Sequence, residues 1–310
     1  KYKHLLDENA DKIAELLTSE HGKVLNDAKG EVIRGIEVVE FACGIPHLLK
    51  GEYTENVARN VDSWSMRQPL GVVAGITPFN FPAMVPLWMI PLAITAGNCF
   101  ILKPSEQTPL SALKIAEYLQ EAGLPDGVFS VLNGSREAVE GICDHADVKA
   151  VAFVGSSNVA KIVYSRSTAN GKRALCLGGA KNHMIVVPDA DQDSTAKGLL
   201  ASSMGSAGQR CMAASVAVCV SEVDHIIDQL VEEAKIYELG VDMGTIASKT
   251  ALDRIIGYID EAEKMGAKIL VDGRNAAPPK TYENGYWLGA TILDGVDPDW
   301  PCAKEEIFGP

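Results

Sequence analysis

The chain is constrained most by a series of short apolar segments that do not alternate with polar residues and are separated by helical stretches. "GVVAGIT" (71–77), "NCFILK" (98–103), "GVFSVLN" (127–133) and "AVAFVG" (150–155) each have the length of a strand. A strand with one wet face shows period-two alternation. One that is apolar throughout is covered on both faces, the usual condition of a parallel sheet. A Pro-punctuated helix follows Thr77, a helix is predicted over 110–123 with Gly123 as its C-cap, and further helices near 135–143 and 157–168. Parallel neighbours need such crossover helices, so the pattern predicts a β-α-β-α unit. Two helical stretches precede it; in the first, Leu5, Leu6, Ile13, Leu16 and Leu17 fall near one face.

A second unit starts near Leu177–Gly179. "HMIVV" reads as a strand, followed by a turn and a helix running to Cys211. "SVAVCVS" (215–221), helices near 223–236 and 249–265, and "AKILVDG" (267–273) continue the alternation. The predicted architecture is two α/β units with a cleft between them.

Composition narrows the function. The 310 residues leave room for one large or two ordinary domains, and 47% hydrophobic content provides a core. A net charge of −13 without a basic stripe argues against nucleic acid as a partner. The seven cysteines (43, 99, 143, 176, 211, 219 and 302) are odd in number, irregularly spaced and include no CxxC pair. That is the usage of a reducing compartment, and neither disulfides nor a metal site is expected. The longest apolar stretch, 81–96, is interrupted by three prolines and is short for a membrane span. Both ends read as lying within structured segments, so a partial chain is expected and a missing targeting segment says little about location.

Four loops carry chemistry-bearing residues. No GxGxxG occurs, but "FVGSSNVAKIV" (153–163) places Gly155, Ser156 and Ser157 between a strand and a helix. Free N–H groups there suit a pyrophosphate; a plain turn with a Ser N-cap accounts for them equally well. "ILKPSEQTP" (101–109) puts Lys103 and Glu106 just after a strand, where ligands of open α/β sheets bind. The alternative is a solvated turn capping the next helix through Ser105 or Thr108. In "TPFNFP" (77–82), Asn80 is either a donor to a developing oxyanion or the start of an Asx turn. In "SAGQRCMA" (206–213), Cys211 is either a nucleophile assisted by Arg210 or a core thiol beside a surface charge.

In this order, "PFNFP", "LKPSE", "FVGS", "GQRC" and "EEIFGP" resemble the aldehyde dehydrogenase superfamily over essentially the whole chain. The resemblance implies an α/β fold with a Rossmann-type parallel-sheet NAD-binding domain (1–178) and an α/β catalytic domain (179–310), incomplete at its C-terminal side. It implies Cys211 as nucleophile and Asn80 as oxyanion donor. It implies an NAD site lined by Thr77, Phe79, Lys103, Glu106, Gln107, Ser156, Gly178 and Glu306, with Phe308 near the ribose. A homo-oligomer, dimer or tetramer, is also implied, in the cytoplasm of a bacterium or the mitochondrial matrix of a eukaryote.

Most of the superfamily carries a glutamate two residues before the Gly-Gly of this region, the base that activates water. Here the stretch is "LCLGGAKNH" and Cys176 holds that position. With "GQRCMA" it resembles the methylmalonate-semialdehyde branch, which passes its acyl group to coenzyme A. A thioester needs a base for rapid attack by water, whereas a thiol is already partly thiolate at neutral pH. Cys176 itself is expected to pack as a small hydrophobe. The branch oxidises aldehydes that bear a carboxylate, and the resemblance implies Arg210 and Arg34 as its holders, with Arg210 also lowering the thiol pKa. From the residues alone, Arg34 is a surface residue paired with Glu31 or Glu37. The implied reaction turns malonate or methylmalonate semialdehyde into acetyl-CoA or propionyl-CoA, with NAD reduction and decarboxylation. A hydrolytic semialdehyde dehydrogenase and an inactive cofactor-binding fragment are the alternatives. Departures from the family pattern are Ala160 in place of a glycine and a short segment over 232–249.

Overall fold

The structure, a computed structural model, describes residues 1–310. It is α/β, and the chain divides into two units: Lys1–Glu20 with Ala28–Gly178, and His21–Asp27 with Gly179–Pro310.

The first unit opens with helices α1 (Tyr2–Glu8), α2 (Ala10–His21), α3 (Leu25–Cys43) and α4 (Ile45–Leu48). An antiparallel hairpin of β1 (Tyr53–Ala58) and β2 (Val61–Trp64) follows. The two helical stretches expected before the sheet are thus four helices and a hairpin. Every strand residue of the hairpin is exposed, so no buried face imposes a pattern that sequence reading could detect. Asp62 ties it locally, accepting from Asn56 N at 2.8 Å and Tyr53 Oη at 2.8 Å.

The predicted alternation then appears: β3 (Val72–Ile76), α5 (Met84–Thr95), β4 (Cys99–Lys103), α6 (Leu110–Glu121), β5 (Phe129–Val131), α7 (Arg136–Asp144), β6 (Val148–Val154), α8 (Ser157–Ala169) and β7 (Arg173–Leu177). The strands form one parallel sheet in the order β5-β4-β3-β6-β7. This is the doubly wound order, and the strand sequence reverses between β3 and β6. Val73, Phe100 and Leu102 face a core built with α1, α2, α3, α5 and α6. Ala74, Ile76, Val151 and Phe153 face the other side and meet Ile142, Cys143, Ala160 and Val163 of α7 and α8. Burial on both faces explains the absence of alternation in the central strands. The edge strand β7 lies outside the predicted strands: its exposed and half-buried residues alternate, so no continuous apolar run marks it.

Two helices of this unit are capped by side chains distant in sequence. Leu110 N and Ser111 N, at the start of α6, donate to the Glu20 carboxylate at 2.7 and 2.8 Å. The alternative in which Ser105 or Thr108 caps this helix is therefore wrong: Thr108 Oγ1 donates to Phe79 O, and Ser105 Oγ accepts from Gln107 N. A cap from 90 residues away leaves no local signal. Buried Glu31 does the same for α5, accepting from Ala83 N and Met84 N at 2.8 and 3.1 Å. Gly123 follows α6 at φ +91.

In the second unit, β8 (Asn182–Val186) and β9 (Ala214–Cys219) pair in parallel across α9 (Gln192–Met204). Then come α10 (Asp224–Lys235), α11 (Lys249–Met265), β10 (Lys268–Val271), β11 (Ile292–Asp294) and α12 (Pro301–Lys304), with β10 and β11 antiparallel. Asp191 caps α9 through Ser194 N, and Ser248 caps α11 through Ala251 N. The core gathers Val186, Leu199, Ile226, Met243, Ile246 and Ile255. The short 232–249 segment closes as a tight turn, with Gly240 N donating to Met243 O at 2.7 Å, and delivers Met243 and Ile246 to that core. No helix is long and apolar enough to cross a membrane.

Candidate active site

The candidate residues fall into two groups, one in each unit. In the first unit they follow the carboxyl ends of parallel strands. Thr77, Phe79 and Asn80 follow β3, Lys103 ends β4 with Glu106 and Gln107 just beyond, Ser156 follows β6 and Gly178 follows β7. Strands β3 and β6 flank the reversal of strand order, where doubly wound sheets open a crevice for ligands. Register brings the groups together: Ile76 pairs with Lys103 on one side and Phe153 on the other, and Thr77 N donates to Lys103 O at 3.1 Å.

The chemistry of this group suits a nucleotide. Lys103 is 4% exposed, and its Nζ lies 3.0 Å from Glu106 Oε2. The Glu106 carboxyl is held below its ordinary range, first by its own backbone N–H and then by Lys103, against partial burial. Ser156 takes the extended N-cap conformation of α8, yet its side chain makes no cap hydrogen bond. The Thr77 hydroxyl is buried with no protein partner, a donor and acceptor left for a ligand. Asn80 is 3% exposed. Arg34, by contrast, is exposed on α3 with Nη1 3.7 Å from Glu37 Oε2. Of the two pairings read from sequence, Glu37 is the one formed, because Glu31 turns inward to cap α5.

In the second unit the nucleophile candidate ends a strained turn. Ser206 and Ala207 both have φ 53 and Gly208 has φ 68, so three consecutive residues are left-handed. Each such non-glycine residue costs about 1 kcal/mol or more and persists only where its surroundings hold it. Four side chains supply the hold. Asp27 accepts from Ser206 N at 2.7 Å and from Arg210 Nη2 at 2.9 Å. Buried Gln209 donates to Ser206 O and Thr245 O and accepts from Ala247 N, at 3.2, 3.0 and 3.0 Å. Asn182 donates to Cys211 O and Ala213 O at 2.9 and 3.1 Å, and Ser202 Oγ accepts from Ala214 N at 3.0 Å. Glu306 and Phe308 belong to a stretch that passes this turn, since a Cβ on Gly208 would stand 2.1 Å from Gly309 O. Ala180 N donates to Glu306 Oε1 at 3.4 Å.

Electrostatics correct one expectation. The Cys211 thiol pKa is raised, first by burial and then by the Glu306 carboxylate, while the N–H groups of Cys211 and Met212 oppose the rise. Arg210 is not among the causes, because its guanidinium is turned to Asp27 and, at 3.3 Å, to Ala201 O. Glu306 is itself raised by burial, against Ala180 N–H, Arg254 and Lys181. Cys176 packs against the Ile142–Phe153 cluster, and burial raises its thiol, which suits a packing role.

The holders Asp27, Gln209, Asn182 and Ser202 are not among the residues that the sequence points to. Gln209 and Asn182 stand inside the quoted "GQRC" and "GAKNH" motifs, which was the available signal. Asp27 lies 179 residues from Ser206 and had none.

The family model described as "Aldehyde dehydrogenase family" matches residues 1–310. Malonate-semialdehyde dehydrogenase of Pseudomonas aeruginosa is 51% identical over 318 aligned positions, covering 100% of this chain and 64% of that protein. The mitochondrial acylating methylmalonate-semialdehyde dehydrogenase of Arabidopsis thaliana is 50% identical over 316 positions, covering 100% of this chain and 52% of that one. The chain thus spans less than two thirds of the length of these relatives. Among solved structures, a Sinorhizobium meliloti protein described as a methylmalonate-semialdehyde dehydrogenase and complexed with NAD matches with TM-score 0.97 at 49% identity, covering 100% of this chain and 64% of that one. The methylmalonate-semialdehyde dehydrogenase of Oceanimonas doudoroffii matches with TM-score 0.97 at 52% identity, over 100% and 65% of the two chains.

Proposed function

As the chain belongs to the aldehyde dehydrogenase family, we propose that it acts in the NAD-dependent, CoA-acylating oxidation of a short semialdehyde. The observation that carries this reading is the turn at 206–211, strained, held by four side chains and ending in a thiol beside an arginine. The first unit is assigned the cofactor. Lys103, Glu106, the Thr77 hydroxyl and the α8 N-terminus at Ser156 fit the ribose hydroxyls and phosphates of NAD, with Phe79, Gln107 and Gly178 as further lining; the family resemblance adds Glu306 and Phe308 of the second unit. The Sinorhizobium meliloti structure with NAD supports that assignment. When bound, NAD supplies the hydride acceptor.

Cys211 attacks the aldehyde carbon as its thiolate. The Asn80 amide and the Cys211 N–H donate to the oxyanion that forms. Arg210, joined by Arg34, holds the carboxylate of malonate or methylmalonate semialdehyde. Loss of hydride from the adduct leaves a thioester on Cys211. Its β-carboxylate departs as carbon dioxide, the same donors stabilise the enolate left behind, and a proton from solvent at its α-carbon gives the acyl thioester. The thiol of coenzyme A then displaces Cys211, releasing acetyl-CoA or propionyl-CoA. Cys176, in the place of the family's water-activating glutamate, favours CoA over water because no carboxylate base is there. The names of the Pseudomonas and Arabidopsis relatives support this substrate class.

The test is NADH and acyl-CoA formation from malonate semialdehyde with and without CoA. Turnover that requires CoA and yields acetyl-CoA is expected. Full turnover to free acid without CoA would establish the hydrolytic alternative instead.

A further inference from the structure

We propose that Asp27 is the positioning residue of the nucleophile turn, setting both the delivery of Cys211 and the aim of Arg210; this rests on the roles proposed above for those two residues. One carboxylate holds two donors. Oδ2 accepts from Ser206 N at 2.7 Å and Oδ1 from Arg210 Nη2 at 2.9 Å. Bonds of this length to an ionised acceptor are among the stronger ones in proteins. The first fastens the left-handed turn at its opening residue, where Gln209 grips the carbonyl of the same residue. The second fixes the guanidinium while spending one of its five N–H groups. Arg210 Nη1 uses another on Ala201 O, and Nε is buried with no protein partner. Donors therefore remain for a second carboxylate, that of the substrate, on a guanidinium that cannot swing. Both partners of each bond belong to the protein, so the hold is built into the fold.

The test uses Asp27→Asn and Asp27→Glu, with two readouts. Asp27 uses a different oxygen for each donor, and Asn keeps only one of the two, so it cannot hold both donors in this arrangement; Glu keeps the charge and both acceptors but moves them by one methylene. The first readout is the ratio of Cys211 alkylation rates with iodoacetate and iodoacetamide, which reports whether Arg210 is aimed to hold a carboxylate on a molecule reacting at the sulfur. The second is KM for malonate semialdehyde against KM for propanal, which lacks the carboxylate. Both variants are expected to lower the iodoacetate preference and to raise KM for the semialdehyde about tenfold relative to propanal, the loss of one charged hydrogen bond. A raised iodoacetate preference in Asp27→Asn with an unchanged one in Asp27→Glu would mean that Asp27 acts only as a charge, and would overturn the proposal. Unchanged ratios, or failure of both variants to fold, would overturn it as well. Cys211→Ser separates the underlying reading: retained turnover there would refute the nucleophile assignment, whatever Asp27 does.

Discussion

The guanidinium of Arg210 lies flat on Gly205. A Cβ added to Gly205 would stand 2.3 Å from Cζ, 2.3 Å from Nη2 and 2.4 Å from Nη1, so the glycine is the seat on which the plane of the charge rests. The conformation of Gly205 is open to any residue, φ −55 and ψ 137, and close approach alone demands glycine here. Gly205→Ala is expected to displace Arg210 from Asp27, to cost about 1–3 kcal/mol through overpacking, and to raise KM for the semialdehyde more than it lowers kcat. Thermal denaturation and steady-state kinetics check both parts.

Glu306 raises the Cys211 thiol by its negative charge. The alkylation rate of the wild type is expected to keep rising with pH beyond the ordinary thiol range, because only the thiolate reacts. Glu306→Gln removes the charge and favours the thiolate. The pH profile for iodoacetamide should move to lower pH, with faster alkylation at pH 8. A profile that stays in place or moves upward would contradict the assigned cause.

Lys103 is buried beside Glu106 at the end of β4. Lys103→Met keeps the apolar stem and removes the ammonium. NADH binding, followed by fluorescence titration, is expected to weaken about tenfold through loss of a charged hydrogen bond. An unchanged dissociation constant would remove Lys103 from the cofactor site.

Glu20 caps α6 and takes no part in the proposed chemistry. Glu20→Ala is expected to cost about 0.5–2 kcal/mol of stability, the usual range for a lost N-cap. It should lower the thermal midpoint and leave kcat and KM unchanged. A kinetic effect would reveal coupling between that cap and the Phe79 loop, to which Thr108 is bonded.

Much of the fold was legible because strands β3, β4 and β6 and helices α8 and α11 are specified by periodicity within a dozen residues. Asn80, Lys103 and Ser156 could be placed for the same reason: each follows a readable strand. The hairpin at 53–64 escaped because nothing buries it. The caps on α5 and α6 escaped because their carboxylates come from α3 and α2, 52 and 90 residues distant. The role of Arg210 was misread in part. Sequence shows a charge beside a thiol, but only packing shows that Asp27 already engages it.

Sequence alone therefore determined the buried strands of the parallel sheet, β3, β4 and β6, where their carboxyl ends fall, and that a cysteine follows an arginine among small residues. Those are properties of neighbours along the chain, set by side-chain periodicity and turn chemistry. Tertiary structure decided what holds the 206–208 turn, where Arg210 points, and that the Cys211 thiol is raised rather than lowered. Each of these depends on groups that only folding brings together. Hydrogen bonds, burial and charge act over ångströms in space, without regard to the 179 residues that separate Asp27 from Ser206.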